Sequence, residues 1–148
     1  TYTGYSAICL AEGLAEDGSL TTIDVNEENR WLALKYFKKT NNSERIESLV
    51  GNALEIIPTL QTSYDLVFID ADKENYAAYF DMIVPKLKSG ALILSDNVLW
   101  SGKVVEKLEA KDFSTKALLD YNRKINEDPR VETVLFPIRD GLSLTRVL

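Results

Sequence analysis

With 148 residues, 45% of them hydrophobic and 27% charged, the chain has the size and composition of one globular domain with a real core. A net charge of −6 excludes a non-specific nucleic-acid binder, and the absence of histidine excludes Ser-His-Asp and Cys-His catalysis and His-ligated zinc. No apolar run approaches a membrane span, and the single cysteine, Cys9, rules out an internal disulfide and fits a reducing, cytoplasmic setting.

The chain starts at Thr1 without methionine, and Tyr2-Thr3-Gly4-Tyr5-Ser6 reads as the end of a loop, so an N-terminal strand is expected to be missing. Tyr5 to Leu14 has helical spacing, with Cys9 expected in the core and Gly13 and Asp17-Gly18 marking the exit. Leu20 to Val25 reads as a strand carrying Asp24 at its tip. From Glu27 to Thr40, the spacing of Trp31, Leu32, Leu34, Tyr36 and Phe37 predicts an amphipathic helix, acidic in its first turn and basic in its last. Ile46 to Val50 is a third apolar run, tipped by Gly51-Asn52, and Ala53 to Leu60 is a short helix limited by Pro58. Leu66-Val67-Phe68-Ile69 reads as a strand buried on both faces, ending abruptly in Asp70-Ala71-Asp72-Lys73. Asn75 to Leu87 is a helix with Tyr76, Tyr79, Phe80, Ile83 and Leu87 inward. Ala91 to Ser95 repeats the strand pattern and ends in Asp96-Asn97. An apolar loop, Val98 to Gly102, leads towards a helix over Thr115 to Asn126. Val131 to Phe136 and Leu142 to Val147 are close enough in sequence to require an antiparallel hairpin. Strand–helix repeats closed by a hairpin predict an α/β fold with a mostly parallel sheet covered by helices.

In such a sheet, ligands bind beyond the carboxyl ends of the strands. Asp70, Asp96 and Asn97 sit at two strand tips and offer three oxygen donors, a set that suits Mg²⁺, with Mn²⁺ and Ca²⁺ as alternatives. Turn formation and helix capping are the alternative explanations for these residues. Asp24 follows Gly4 at about the spacing of an acidic residue that holds a ribose diol, or else it caps the helix near Glu27. The Gly4 turn precedes a helix whose free N–H groups can hold an anion. Lys73 is either chemically active or an ordinary surface lysine. Trp100 and Tyr76 can line an aromatic pocket, although Tyr76 fits core packing better.

Gly4-Tyr5-Ser6, Asp70-Ala71-Asp72-Lys73-Glu74-Asn75-Tyr76, Ser95-Asp96-Asn97-Val98-Leu99-Trp100-Ser101-Gly102 and Pro137-Ile138-Arg139-Asp140-Gly141-Leu142 occur in an order and spacing that resembles one family. This is the group of metal-dependent S-adenosylmethionine O-methyltransferases acting on catechols and caffeoyl-CoA, especially its caffeoyl-CoA-like and bacterial branch. The resemblance covers nearly the whole chain and implies a Rossmann-like class I methyltransferase domain over residues 1–148, N-terminally incomplete. It implies that Asp70, Asp96 and Asn97 ligate the metal and that Lys73 is the general base. It also implies that Asp24, with Val25 beside it, holds the cofactor ribose. Thr1, Tyr2, Gly4 and Ser6 would meet its methionine carboxylate, Ala53 would approach its adenine, and Asp70 and Asp72 would lie beside it. The implied partner is a small hydroxylated aromatic, with neither nucleic acid nor membrane, in a homodimer.

Two departures stand out: the helices and first strand that precede this region in family members are absent, and Pro137 stands near the position of the catechol enzyme's substrate-binding glutamate. A nicotinamide-dependent oxidoreductase accounts for Asp24 but not for the metal-like trio. A truncated, non-catalytic copy is the other alternative.

Overall fold

Short β-branched runs between helical stretches become strands here, as their patterning requires. A computed structural model describes every residue, Thr1–Leu148, and the chain partitions into two units, Thr1–Thr59 and Leu60–Leu148.

The first unit contains α1 (Tyr5–Ala11), β1 (Leu20–Asp24), α2 (Glu27–Phe37), β2 (Ile46–Val50) and α3 (Ala53–Ile56). Strands β1 and β2 pair in parallel, with Asp24 opposite Val50 at their carboxyl ends. Parallel neighbours need a long crossover, and α2 provides it. The core joins Ala7 and Ala11 of α1 to Ala33 and Phe37 of α2 and Ile46 of β2. Each helix contributes residues four apart, which share one face.

That spacing explains two corrections. Cys9 lies between Ala7 and Ala11 in sequence, projects from the opposite side of α1, and is exposed rather than a core residue. On α2 the buried face is Ala33 and Phe37, so Trp31 is 69% exposed and Tyr36 is exposed as well. The helix begins at Asn26, whose Oδ1 accepts from the Glu28 N–H at 2.8 Å, so the cap is Asn26 and not Asp24. Pro58 falls in a 3₁₀ turn, Ile57–Thr59, directly after α3.

The second unit contains β3 (Leu66–Ile69), α4 (Tyr76–Ile83), β4 (Leu92–Asp96), α5 (Phe113–Glu127), β5 (Val131–Phe136) and β6 (Leu142–Val147). Its sheet has the order β3-β4-β6-β5. Strand β4 is parallel to β3 and antiparallel to β6, and β6 is antiparallel to β5, so only β6 opposes the others. The α/β architecture with an antiparallel closing hairpin is therefore the one expected. Strand β3 is an edge strand of this sheet, and Leu66 is 41% exposed, so it is not buried on both faces.

Helix α4 is shorter than its apolar spacing predicts. A 3₁₀ turn over Lys73–Asn75 precedes it, and another over Val84–Lys86 follows where Pro85 lacks the N–H to continue the α-helical pattern. Helix α5 buries Thr115, Leu118, Tyr121 and Ile125 and is capped by Asp112, which accepts from the Thr115 N–H at 3.0 Å. Tyr121 meets Tyr76 and Phe80 of α4 edge-on, with ring centroids 5.4 and 6.2 Å apart. Such rings add about 0.5–1.5 kcal/mol per pair beyond the area they bury. No helix in the chain is long and apolar enough to cross a membrane.

Candidate functional site

Parallel pairing puts the carboxyl ends of β3 and β4 at the same end of the sheet, with Ile69 opposite Ser95. The next residues along are Asp70 on one strand and Asp96-Asn97 on the other. The antiparallel register of β6 places Leu142 opposite Asp96, so the 137–141 loop arrives at this end too.

Lys73 stands at the centre of the cluster. Although a lysine, it is only 9% exposed. Its Nζ donates to Tyr76 Oη at 2.5 Å, to Asn97 Oδ1 at 2.9 Å and to Asp70 Oδ1 at 3.4 Å. An ammonium has three N–H groups, and three oxygens are within reach of them. Its charge also lies 4.6 Å from the Tyr76 ring centroid and 5.9 Å from that of Trp100. Lys73 is therefore not a surface lysine.

Tyr76 has its ring in the core and its hydroxyl at the site. The hydroxyl donates to the Asp96 carbonyl at 3.0 Å, with the Ile69 carbonyl in range at 3.3 Å. Burial, followed by the nearby Asp70 and Asp96 carboxylates, drives its pKa well above that of a free tyrosine, so the phenol keeps its proton. Beneath it Tyr121 Oη lies 2.5 Å from Ser95 Oγ, and burial pushes the Tyr121 phenol up to about 12.

The Asn97 loop is held in an unusual conformation. Asn97, Trp100 and Ser101 all have left-handed backbones, with φ of 59°, 48° and 55°, a conformation that costs a residue with a side chain about 1–2 kcal/mol. Neighbouring main chain secures the loop: Val98 N–H donates to the Gly141 carbonyl at 3.1 Å and Leu99 N–H to the Asp140 carbonyl at 2.9 Å. The Asp140 carboxylate also accepts from the Ser101 N–H. Sequence reasoning gave Asp140 no role; the Asp140-Gly141 pair signals a turn and nothing more.

The donor set fits a hard divalent cation. No three His, Cys, Asp or Glu side chains cluster in a way that could hold a metal ion; of the expected donors, the Asp70 and Asp96 carboxylates and the Asn97 amide oxygen, the structure brings Asp70 Oδ1 and Asn97 Oδ1 together. Asp70 Oδ1 and Asn97 Oδ1 already converge on one positive charge, the Lys73 ammonium. Mg²⁺ and Ca²⁺ take such mixed oxygen sets, with water filling the remaining positions. Asp96 Oδ1 accepts from the Asn97 N–H at 2.7 Å. Asp72 is engaged with its own helix: its Oδ1 accepts from Tyr79 Oη at 2.6 Å, and Asn75 donates to its other oxygen.

In the first unit, a second group of predicted residues comes together at the carboxyl end of β1. Asp24 Oδ2 accepts from the Tyr2 N–H at 2.7 Å and Oδ1 from the Asn26 N–H at 2.9 Å, with the Asn29 amide at 3.3 Å from both oxygens. Burial alone would raise the Asp24 pKa, but the Asn26 and Tyr2 N–H groups and the Asn29 amide outweigh it and lower it. The carboxylate thus ties the Thr1–Gly4 turn to the strand tip. Thr1 Oγ1 meets Thr22 Oγ1 at 2.7 Å, and the Gly51 N–H donates to the Asp24 carbonyl at 2.9 Å, bringing the start of α3 and Ala53 to the same strand end. Gly4 is the residue before α1, Ser6 lies in its first turn, and Val25 is 74% exposed beside Asp24.

Comparison with known proteins gives the family of the chain. A model of an O-methyltransferase family matches residues 1–148. Caffeoyl-CoA O-methyltransferase 1 of Eucalyptus globulus is 36% identical over 159 residues, covering 98% of this chain and 63% of that protein. The chain thus spans less than two thirds of the length of this curated relative. Among solved structures, an O-methyltransferase of Bacillus cereus in complex with SAH superposes with a TM-score of 0.92 at 29% identity, covering 100% of this chain and 71% of the other. The O-methyltransferase TomG of Streptomyces achromogenes, involved in tomaymycin synthesis and solved with SAM, gives 0.92 at 28% identity, covering 99% and 70%.

Proposed function

Because the chain belongs to the O-methyltransferase family, we propose that residues 1–148 form an S-adenosylmethionine-dependent domain that methylates a hydroxyl of a vicinal-diol aromatic, of the caffeoyl-CoA type, with the help of a divalent cation. The observation that carries this reading is the Lys73 ammonium gathered by Asp70 and Asn97 at the ends of β3 and β4. Asp70, Asp96 and Asn97 would hold the cation. When bound, the sulfonium cofactor supplies an electrophilic methyl group, and the cation stabilises the anion of a phenol that is otherwise mostly protonated at neutral pH.

The chain's own side chains account for the rest. Lys73, as the neutral amine, would receive the hydroxyl proton at Nζ, and the Tyr76 hydroxyl oxygen would accept from the ammonium that results. Trp100, over Lys73, offers an aromatic face to a planar acceptor. Asp24 would offer carboxylate oxygens to a ribose diol, and the main chain of the Tyr2–Gly4 turn and the first turn of α1 would hold the cofactor's carboxylate. In-line transfer then depends chiefly on positioning.

Calorimetric titration of the intact protein with S-adenosylmethionine and with NAD, followed by transfer of a labelled methyl group to a caffeoyl ester with and without a chelator, tests the reading. Binding of S-adenosylmethionine alone, weakened about ten-fold by Asp24→Ala, and transfer abolished by chelation are expected. Tighter binding of NAD would refute the cofactor assignment, and transfer that survives chelation would refute the metal assignment.

A further inference from the structure

Tyr76 is a tyrosine whose ring needs no hydroxyl to fill its place in the core. It is 0% exposed and packs edge-on against Tyr121, a contact that a phenylalanine would also make. The hydroxyl nevertheless sits where β3 and β4 both end. Its single proton goes to main chain, the Asp96 carbonyl at 3.0 Å, and a lone pair accepts from Lys73 Nζ at 2.5 Å. The other two acceptors of Lys73, Asp70 and Asn97, are the side chains offered to a cation. Oxygens that turn to a metal are no longer free to hold an ammonium, whereas the Tyr76 hydroxyl is anchored to main chain and is no part of the donor set.

We infer that Tyr76 is a positioning residue, whose hydroxyl is the fixed hydrogen-bond acceptor that holds the Lys73 side chain at the strand ends while Asp70 and Asn97 serve the metal. The role in turnover rests on the function proposed above; the hold on Lys73 does not. Tyr121 offers a control, because its hydroxyl is equally buried in the same core but bonds Ser95 instead.

The test compares the intact protein with its Tyr76→Phe and Tyr121→Phe variants, all without metal. Nitrogen-15 spectra of lysine ammonium groups resolve only protons that exchange slowly with water, and Lys73→Arg identifies the Lys73 signal by its loss. A protected Lys73 signal is expected in the wild type and in Tyr121→Phe. In Tyr76→Phe, exchange should be about ten-fold faster, the equivalent of one lost hydrogen bond. In turnover, Tyr76→Phe should lower kcat about ten-fold with the acceptor KM unchanged. Wild-type exchange and kcat in Tyr76→Phe would overturn the inference, as would an equal acceleration in Tyr121→Phe or no protected signal in the wild type. A wild type that transfers no methyl group refutes the proposed function, and the exchange measurement still decides whether Tyr76 holds Lys73.

Discussion

Replacing Gly141 by alanine tests how the site loop is held. Gly141 has φ +83°, and a Cβ built there would lie 2.5 Å from Leu99 Cγ and 3.0 Å from Leu99 Cβ and Cδ1. The backbone conformation alone costs an alanine about 1–2 kcal/mol. Forcing Leu99 aside adds an overpacking cost of about 1–3 kcal/mol. Leu99 cannot retreat alone, because its N–H is bonded to the Asp140 carbonyl and that of Val98 to the Gly141 carbonyl. The displacement therefore passes into Asn97 and Trp100. Gly90→Ala isolates the first contribution: Gly90 has φ +88°, and a Cβ added there would meet nothing within 4 Å.

At about 2–4 °C per kcal/mol for a chain of this size, Gly141→Ala should lower Tm by roughly 4–20 °C and Gly90→Ala by roughly 2–8 °C. Thermal denaturation followed by circular dichroism measures both, and magnesium titration of the folded variants should show weaker binding for Gly141→Ala only. Adding Leu99→Ala to Gly141→Ala should cost less than Leu99→Ala does alone in the wild type, because the clash has gone. If Gly141→Ala loses no more stability than Gly90→Ala, Leu99 is not wedged against the hairpin turn and the loop is held by something else.

Two further outcomes follow from the charges. Asp96→Ala removes a candidate ligand, so its metal affinity should fall and excess Mg²⁺ should partly restore turnover, whereas Lys73→Ala should not respond to metal; near-normal turnover of Lys73→Ala at neutral pH would remove its general-base role. At the far end of α5, hydrogen bonds from the Arg130 side chain lower Asp128 from its ordinary 3.8 to about 2. A depressed carboxylate stabilises the fold above its unfolded pKa and loses that contribution as pH falls. Asp128→Asn should thus lower Tm at pH 7, with the difference from wild type closing between about pH 4 and pH 2, and a pH-independent difference would show that the ion pair is not its source.

Strand positions were legible because Leu66–Ile69 and Leu92–Ser95 are apolar runs cut off by charged residues, and that break marks both a strand end and a ligand end. The hairpin followed from the short interval between Phe136 and Leu142. Cys9 and Trp31 were misread for a common reason: apolar character says that a residue can be buried, but the face of the helix decides whether it is. Ala33, small and unremarkable in sequence, occupies the face where Trp31 was expected. Tyr76 was legible as core but not as a partner of Lys73, since the use of its hydroxyl depends on where two strands end. The left-handed backbones of Asn97, Trp100 and Ser101 were hidden for a similar reason. None is glycine, and long-range bonds to Asp140 and Gly141, not local preference, hold them.

The strand order β3-β4-β6-β5 also bears on how the second unit is made. Synthesis delivers β5 before β6, yet β5 touches the sheet only through β6. A nascent chain that has reached Phe136 therefore carries a strand held only by α5, through Thr133 Oγ1 donating to the Ile125 carbonyl at 2.9 Å, and the flank of β4 that pairs with β6 remains bare. Both vacancies close in one event, when residues 142–147 slide between strands already made. Assembly of the end that carries Asp96 is thus deferred until β6, which lies between β4 and β5 in space, is available. Until then the open flank of β4 offers unpaired N–H and C=O groups to stray strands.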